Sequence, residues 1–363
     1  MLTGFAKLDL PWAQWPLISN APMSGVATSQ LAVAVTQAGG LGQIGFTGDP
    51  ALLDRELSSA RRHLHPPPQP QSHDAEAPQQ PLPVGAGIIV FGASPEAFMP
   101  VLAQHAPAVV WLSFGSAAEL QHWTASIRQH TPQSKVWIQL GSVRAALEAA
   151  RLCKPDALVL QGSDAGGHGH AGGSSIVPLL PEVADALRAA GLPALPLVAA
   201  GGIMDGRGAA AALALGAAGV VMGTRFLGAA EASVPVRFRK LVLEAVDGGE
   251  STARSRAFDA MWGTNVWPET YDGRCLKNAM YRHVSGGMSH AEARAKLYEA
   301  ASGAAGRGLD AQDTMSVWAG AGVGLVNQVQ TAADIVGEVR ADVLQTVAAL
   351  GDAMHGRAAT SAP

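Results

Sequence analysis

The stretch LPLVAAGGIMDGRGAAAALALGAAGVVMGTRF, residues 195–226, decides the fold. It opens on an apolar run at 195–201, turns at paired glycines, passes through an alanine-rich segment and closes on a second apolar run at 219–223. Runs this apolar, without polar alternation, belong to strands buried on both faces. A strand, a helix and a second strand in that order make a right-handed βαβ unit of a parallel sheet. Further runs stand upstream at 16–23, 41–46, 84–91, 109–114, 135–140 and 157–162, with helical segments such as 28–39 and 142–153 between them. Eight strands are the number that closes a barrel. An open doubly wound sheet, the alternative, usually has fewer strands and an early GxGxxG turn. The sequence therefore predicts an α/β fold, a (β/α)8 TIM barrel over residues 1–231.

Two segments depart from that pattern. Residues 63–83 (HLHPPPQPQSHDAEAPQQPLP) are rich in Pro, Gln and His, cannot bury a core and read as a low-complexity surface loop. Their histidines, His63, His65 and His73, read as solvated rather than metal-binding. Residues 232–312 carry helical spacing in PVRFRKLVLEAV and HAEARAKLYEAASGAA, with Trp262, Trp267 and Tyr271 between them, and read as a smaller helical insertion domain after strand 8. Residues 313–353 return to the barrel and end in a long helix, and 354–363 read as a flexible tail.

Composition narrows the partners. Of 363 residues, 48% are apolar and 15% charged, ample for one large core. A formal charge of −4 argues against nucleic acid or anionic membrane as the main partner. No run is long enough to span a bilayer and no leader is evident, so a soluble cytoplasmic protein is expected. The two cysteines, Cys153 and Cys275, stand in no metal spacing and form no disulfide framework, so no metal is expected. Oligomeric state is not encoded legibly; a homodimer is compatible with the sequence.

In a barrel of this type chemistry sits on the loops at the C-terminal ends of the strands. The run at 195–201 ends in Gly201-Gly202, and the helix start behind them offers N–H groups and a positive dipole end to an anion. The run at 219–223 ends in Val221-Met222-Gly223-Thr224, able to offer backbone N–H groups and a hydroxyl to the same anion. Glycines at either place alone could be simple turns. On the last two strands together they predict a phosphate site. The run at 157–162 leads into QGSDAGGHGHAGG, residues 161–173, free to lie along a flat ligand and to deliver His168 to the barrel mouth. Histidine suits proton transfer near neutral pH. His168 is preferred to His170 because it follows the strand more closely, and Asp164 reads as a loop cap or a holder of a backbone N–H. The first strand ends in Asn20-Ala21-Pro22-Met23-Ser24, where proline and methionine can lie against a planar aromatic ligand.

Together NAPMSGVATSQLAVAVTQAGGLGQIGF, QGSDAGGHGHAGG and AAGGIMDGRGAAAALALGAAGVVMGTRF, in this order and spacing, resemble the nitronate monooxygenases, formerly 2-nitropropane dioxygenases. WPETYDGRCLKN and WAGAGVG extend the likeness into the insertion and the C-terminal part. The resemblance implies non-covalent FMN, with its phosphate at Gly201, Gly202, Val221, Met222, Gly223 and Thr224. It implies flavin-ring contacts at Ala21, Pro22, Met23 and Ser24, further cofactor contacts at Gln161 and Gly166, and His168 as the catalytic base. It also implies oxidation of alkyl nitronates, and of nitroalkanes after loss of the α-proton, by O2 to a carbonyl compound and nitrite. This chain has Asp164 where many relatives carry Glu. Its third strand, GAGIIVFG, lacks an Asn-containing segment of some bacterial members.

Three other readings compete. An NAD(P)H-dependent FMN reductase of the enoyl-ACP reductase or quinone reductase type would share the barrel and phosphate loops. Chemistry like that of inosine monophosphate dehydrogenase needs a cysteine on a barrel loop, which neither cysteine supplies. A flavin-binding module without catalysis would not need His168.

Overall fold

A computed structural model describes residues 2–64, 81–261, 263, 265–302 and 315–354. The core of the expected 63–83 loop, the end of the insertion and almost all of the expected tail lie outside the described residues, as does Trp262.

Eight parallel strands form the sheet: β1 (Leu17–Asn20), β2 (Gln43–Ile44), β3 (Leu82–Ile89), β4 (Pro107–Ser113), β5 (Lys135–Leu140), β6 (Ala157–Gln161), β8 (Leu197–Ala200) and β9 (Gly219–Met222). They pair in the order β1-β9-β8-β6-β5-β4-β3-β2, and a parallel bridge from Ser19 to Leu41 brings the two ends together. Successive residues on each strand alternate between two cores. Leu17, Val109, Trp111, Trp137, Val159, Val198 and Val221 fill the barrel interior. Ile18, Val110, Ile138, Leu160, Ala199 and Val220 face the outer helices. Two apolar faces per strand explain why the sequence runs are apolar throughout. The interior is packed rather than hollow, with the rings of Trp111 and Trp137 6.2 Å apart.

The β1–β2 seam has little ladder, and side chains supply the remainder. The Ser19 hydroxyl donates to the Leu41 carbonyl at 2.6 Å. The Asn20 amide donates to Gln43 O at 2.9 Å and accepts from Gln43 N–H at 2.9 Å. All of these groups are buried. Removing one partner of a buried hydrogen bond costs about 1–3 kcal/mol, so Asn20→Ala is expected to destabilise the fold by about 2–5 kcal/mol. Urea unfolding should show a lower midpoint at unchanged slope. An unaltered midpoint would mean that the seam is held elsewhere.

The insertion after β9 is not helices alone. Helices Val236–Glu244, Ala279–Ser285 and His290–Ser302 are joined by strands β10 (Thr252–Ser255) and β11 (Tyr271–Leu276). With β7 (Gly167–His170), which lies between β6 and β8 in the chain, these form a separate antiparallel sheet in the order β10-β11-β7. The glycine-rich stretch read as an open loop is therefore partly a strand, tied to the insertion. Arg254 on β10 and Arg274 on β11 both donate to the Ser163 carbonyl, at 3.2 Å. The final helix, Ala332–Met354, packs back onto helices Gly206–Ala214 and Ser29–Gln37. Among the described residues no helix is long and apolar enough to cross a membrane.

Candidate active site

A cavity of about 1070 Å³ opens at the C-terminal ends of the strands. A smaller space of about 60 Å³ adjoins it and shares Ala21, Gln161, Gly166, Gly223 and Thr224 with its wall. Of the residues singled out in the sequence, Ala21, Pro22, Met23, Ser24, Gln161, Gly166, His168, Gly223 and Thr224 line the large cavity. Gly201, Gly202 and Val221 line the small one. Met222 lines neither: its side chain is buried in the outer core, and its carbonyl accepts from Ala21 N–H at 3.0 Å. Gly166 approaches the returning segment so closely that a Cβ would lie 2.5 Å from the Ala319 and Gly320 backbone.

The small space has the makings of an anion site. Gly201 and Gly202 have φ of +105° and +75°, conformations that favour glycine, and together they turn the chain behind it. No carbonyl among the described residues accepts from the N–H groups of Gly202, Ile203, Gly223 or Thr224. The Thr224 hydroxyl oxygen accepts from Gly320 N–H at 2.9 Å, which leaves its own proton to donate. The helix start expected to help does not. Asp205 caps it, its carboxylate accepting from Arg207 N–H and Gly208 N–H at 3.0 and 3.1 Å. The N–H groups left without a carbonyl partner in this space are those of the loops, not the two of that helix that Asp205 takes. Asp164 also departs from expectation, since its carbonyl, not its carboxylate, accepts the backbone N–H of Ala321.

Polar side chains cross the barrel mouth in a fixed order. The Trp111 indole N–H donates to Gln139 Oε1 at 3.1 Å, Gln139 Nε2 to Gln161 Oε1 at 3.0 Å, and Gln161 Nε2 to the His168 carbonyl at 3.0 Å. An indole only donates and a carbonyl only accepts, so both amides between them have one possible orientation. Gln139 was not singled out in the sequence. The signal was available, because it ends an apolar strand run as Gln161 does.

His168 sits in the cavity wall in an aromatic setting. Trp267 lies flat against its imidazole, ring centroids 3.6 Å apart and planes 8° from parallel, and Trp318 stands at 4.6 Å. Phe114, held at φ +58°, meets Trp267 and Tyr271 edge-on at 5.0 and 5.2 Å. The His168 Nε2 lies 2.8 Å from Asp259 Oδ1. Asp259 was not foreseen, since it lies far along the chain and in no motif, while Trp318 opens the WAGAGVG segment but was not itself singled out. His170 is not in the cavity wall. It packs against Gly141 and Gly172, and burial, with Arg144 and Arg254 adding to it, lowers its pKa. Burial raises the pKa of both thiols, Cys153 at the end of an outer helix and Cys275 within β11, and neither lines the cavity.

A closed parallel barrel with its cavity, polar network and histidine at the C-terminal mouth is the architecture of a TIM-barrel enzyme. The chain belongs to the nitronate monooxygenase family, whose sequence profile matches residues 9–342. It is 41% identical over 336 residues to the nitronate monooxygenase npaC of Metarhizium robertsii, covering 92% of each chain. It is 37% identical to a nitronate monooxygenase of Neurospora crassa, covering 93% of this chain and 91% of that one. Among solved structures, FabK from Thermotoga maritima matches with a TM-score of 0.72 at 24% identity, over 97% of this chain and 98% of that one. Nitroalkane oxidase from Streptomyces ansochromogenes matches at 0.68 with 23% identity, over 95% and 99%. Those two likenesses concern the fold.

Proposed function

We propose that the protein binds FMN and oxidises alkyl nitronates with O2 to a carbonyl compound and nitrite, with His168 as base when the substrate arrives as the neutral nitroalkane. The observation that carries this is the placing of His168 in one wall of a large cavity whose adjoining space is lined by loop amides with no carbonyl partner among the described residues. Gly202, Ile203, Gly223 and the Thr224 hydroxyl would hold the phosphate. The Ala21–Ser24 segment and Gln161 would lie along the isoalloxazine. When bound, FMN supplies electron acceptance from the nitronate and delivery of electrons to O2. The protein supplies the remainder. The Gln139–Gln161 pair keeps a directed amide at the cavity floor. Phe114, Trp267 and Trp318 limit water around the imidazole, and His168 takes the α-proton. The family assignment supports the substrate class. Homodimerisation and a cytoplasmic location are further expectations of this reading.

The test is anaerobic mixing of the purified holoprotein with ethyl nitronate or with NADPH, followed by flavin absorbance. Bleaching by ethyl nitronate and none by NADPH is expected. Rapid bleaching by NADPH alone would overturn the reading in favour of a nicotinamide-dependent reductase.

A further inference from the structure

The imidazole of His168 is held on an edge by a carboxylate and on a face by an indole, and that carboxylate is itself only half satisfied. We propose that Asp259 is a positioning residue that fixes His168 as the Nε2–H tautomer, making Nδ1 the atom that takes the α-proton of a neutral nitroalkane. The proposal rests on the base role given to His168 above.

An ionised carboxylate can only accept, so the 2.8 Å contact from Asp259 Oδ1 to His168 Nε2 places the proton on Nε2. A neutral imidazole has one N–H, and its remaining lone pair is then on Nδ1. No hydrogen-bond partner of Nδ1 is found among the described residues, and the ring lines the cavity. Rotation of the ring is opposed by Trp267 stacked 3.6 Å away and Trp318 on a neighbouring side. The backbone is fixed as well, since His168 is paired with Gly273 across the β7–β11 ladder and its carbonyl accepts from Gln161.

A purely structural aspartate would be expected to satisfy both oxygens. Asp259 does not: Oδ2 is buried and has no hydrogen-bond partner among the described residues. Its neighbours along the chain, Phe258, Ala260 and Met261, are buried apolar residues. Holding a carboxylate there is unfavourable unless its charge is used. Proton transfer uses it. The α C–H bond breaks, its electron pair delocalises into the nitro group to give the nitronate anion, and a new N–H bond forms at Nδ1. The imidazolium so produced carries its charge between the Asp259 carboxylate and the Trp267 face.

The first test is ¹⁵N spectroscopy of the histidine-labelled holoprotein, with the His168 signals assigned by their loss in His168→Asn. Neutral His168 is expected as the Nε2–H tautomer, and an Nδ1–H tautomer would overturn the proposal. The second compares Asp259→Asn with the unaltered protein on nitroethane and on preformed ethyl nitronate. The loss of kcat/KM on nitroethane should exceed the loss on ethyl nitronate by about 10²-fold, the lower range for a general base, with Asp259→Glu recovering part of it. Equal losses on both substrates at unchanged flavin content would overturn it. Should the unaltered protein use neither substrate, the functional reading falls, while the tautomer still decides the role of Asp259.

Discussion

His168→Asn is expected to retain FMN and to lose about 10²–10⁴-fold in kcat/KM on neutral nitroethane, the range a positioned general base contributes. That corresponds to about 3–5.5 kcal/mol of transition-state stabilisation. Asparagine can occupy the space beside Trp267 and can still meet Asp259, but it cannot accept a proton. A preformed nitronate has already lost its α-proton, so its turnover should suffer far less. Initial rates on both substrates, with flavin content measured on the same preparations, check this. Equal rates of variant and parent on nitroethane would remove His168 from the chemistry.

The barrel was legible because its signal is repeated and local. Each strand such as 135–140 or 157–161 is an apolar run, since its alternate residues enter either the interior with Trp111 and Trp137 or the outer core with Ile138 and Leu160. The family likeness and the positions of His168, Gly201 and Gly202 were legible for a related reason: they lie at strand ends in short motifs. What stayed hidden depends on contacts between distant segments. Asp259 and His168 are 91 residues apart and meet only because β11 pairs with β7 and carries the insertion over the barrel mouth. A glycine-rich stretch such as 161–173 looks free in isolation and becomes a strand only when a partner edge arrives. The capping of helix Gly206–Ala214 by Asp205 was, in contrast, written locally in MDGRG. An aspartate just before a helix competes with a ligand for the same N–H groups, and here the cap takes them.

That competition moves the phosphate question onto Gly201, and Gly201→Ala is the sharpest way to ask it. At φ +105° a side chain brings about 1–3 kcal/mol of backbone strain. Its Cβ would also lie 2.9 Å from the Gly162 carbonyl and 3.1 Å from Ala165 N, backbone atoms that cannot rotate away. Nor can the 162–166 segment shift easily. Its Ser163 carbonyl is gripped by Arg254 and Arg274, and its Asp164 carbonyl by Ala321 N–H. The strain is therefore expected to disturb the turn that presents the Gly202 and Ile203 amides. FMN should dissociate about 10–100-fold more readily, the change that 1.4–2.8 kcal/mol produces, each factor of about ten being 1.4 kcal/mol. Riboflavin separates this effect from general damage, because it has the same ring and no phosphate. Titration of the deflavinated protein with each flavin should show that the parent prefers FMN and that Gly201→Ala narrows the preference by weakening FMN alone. A variant that weakens both flavins equally would place the phosphate outside this turn, and the Gly223–Thr224 loop would then have to hold it unaided.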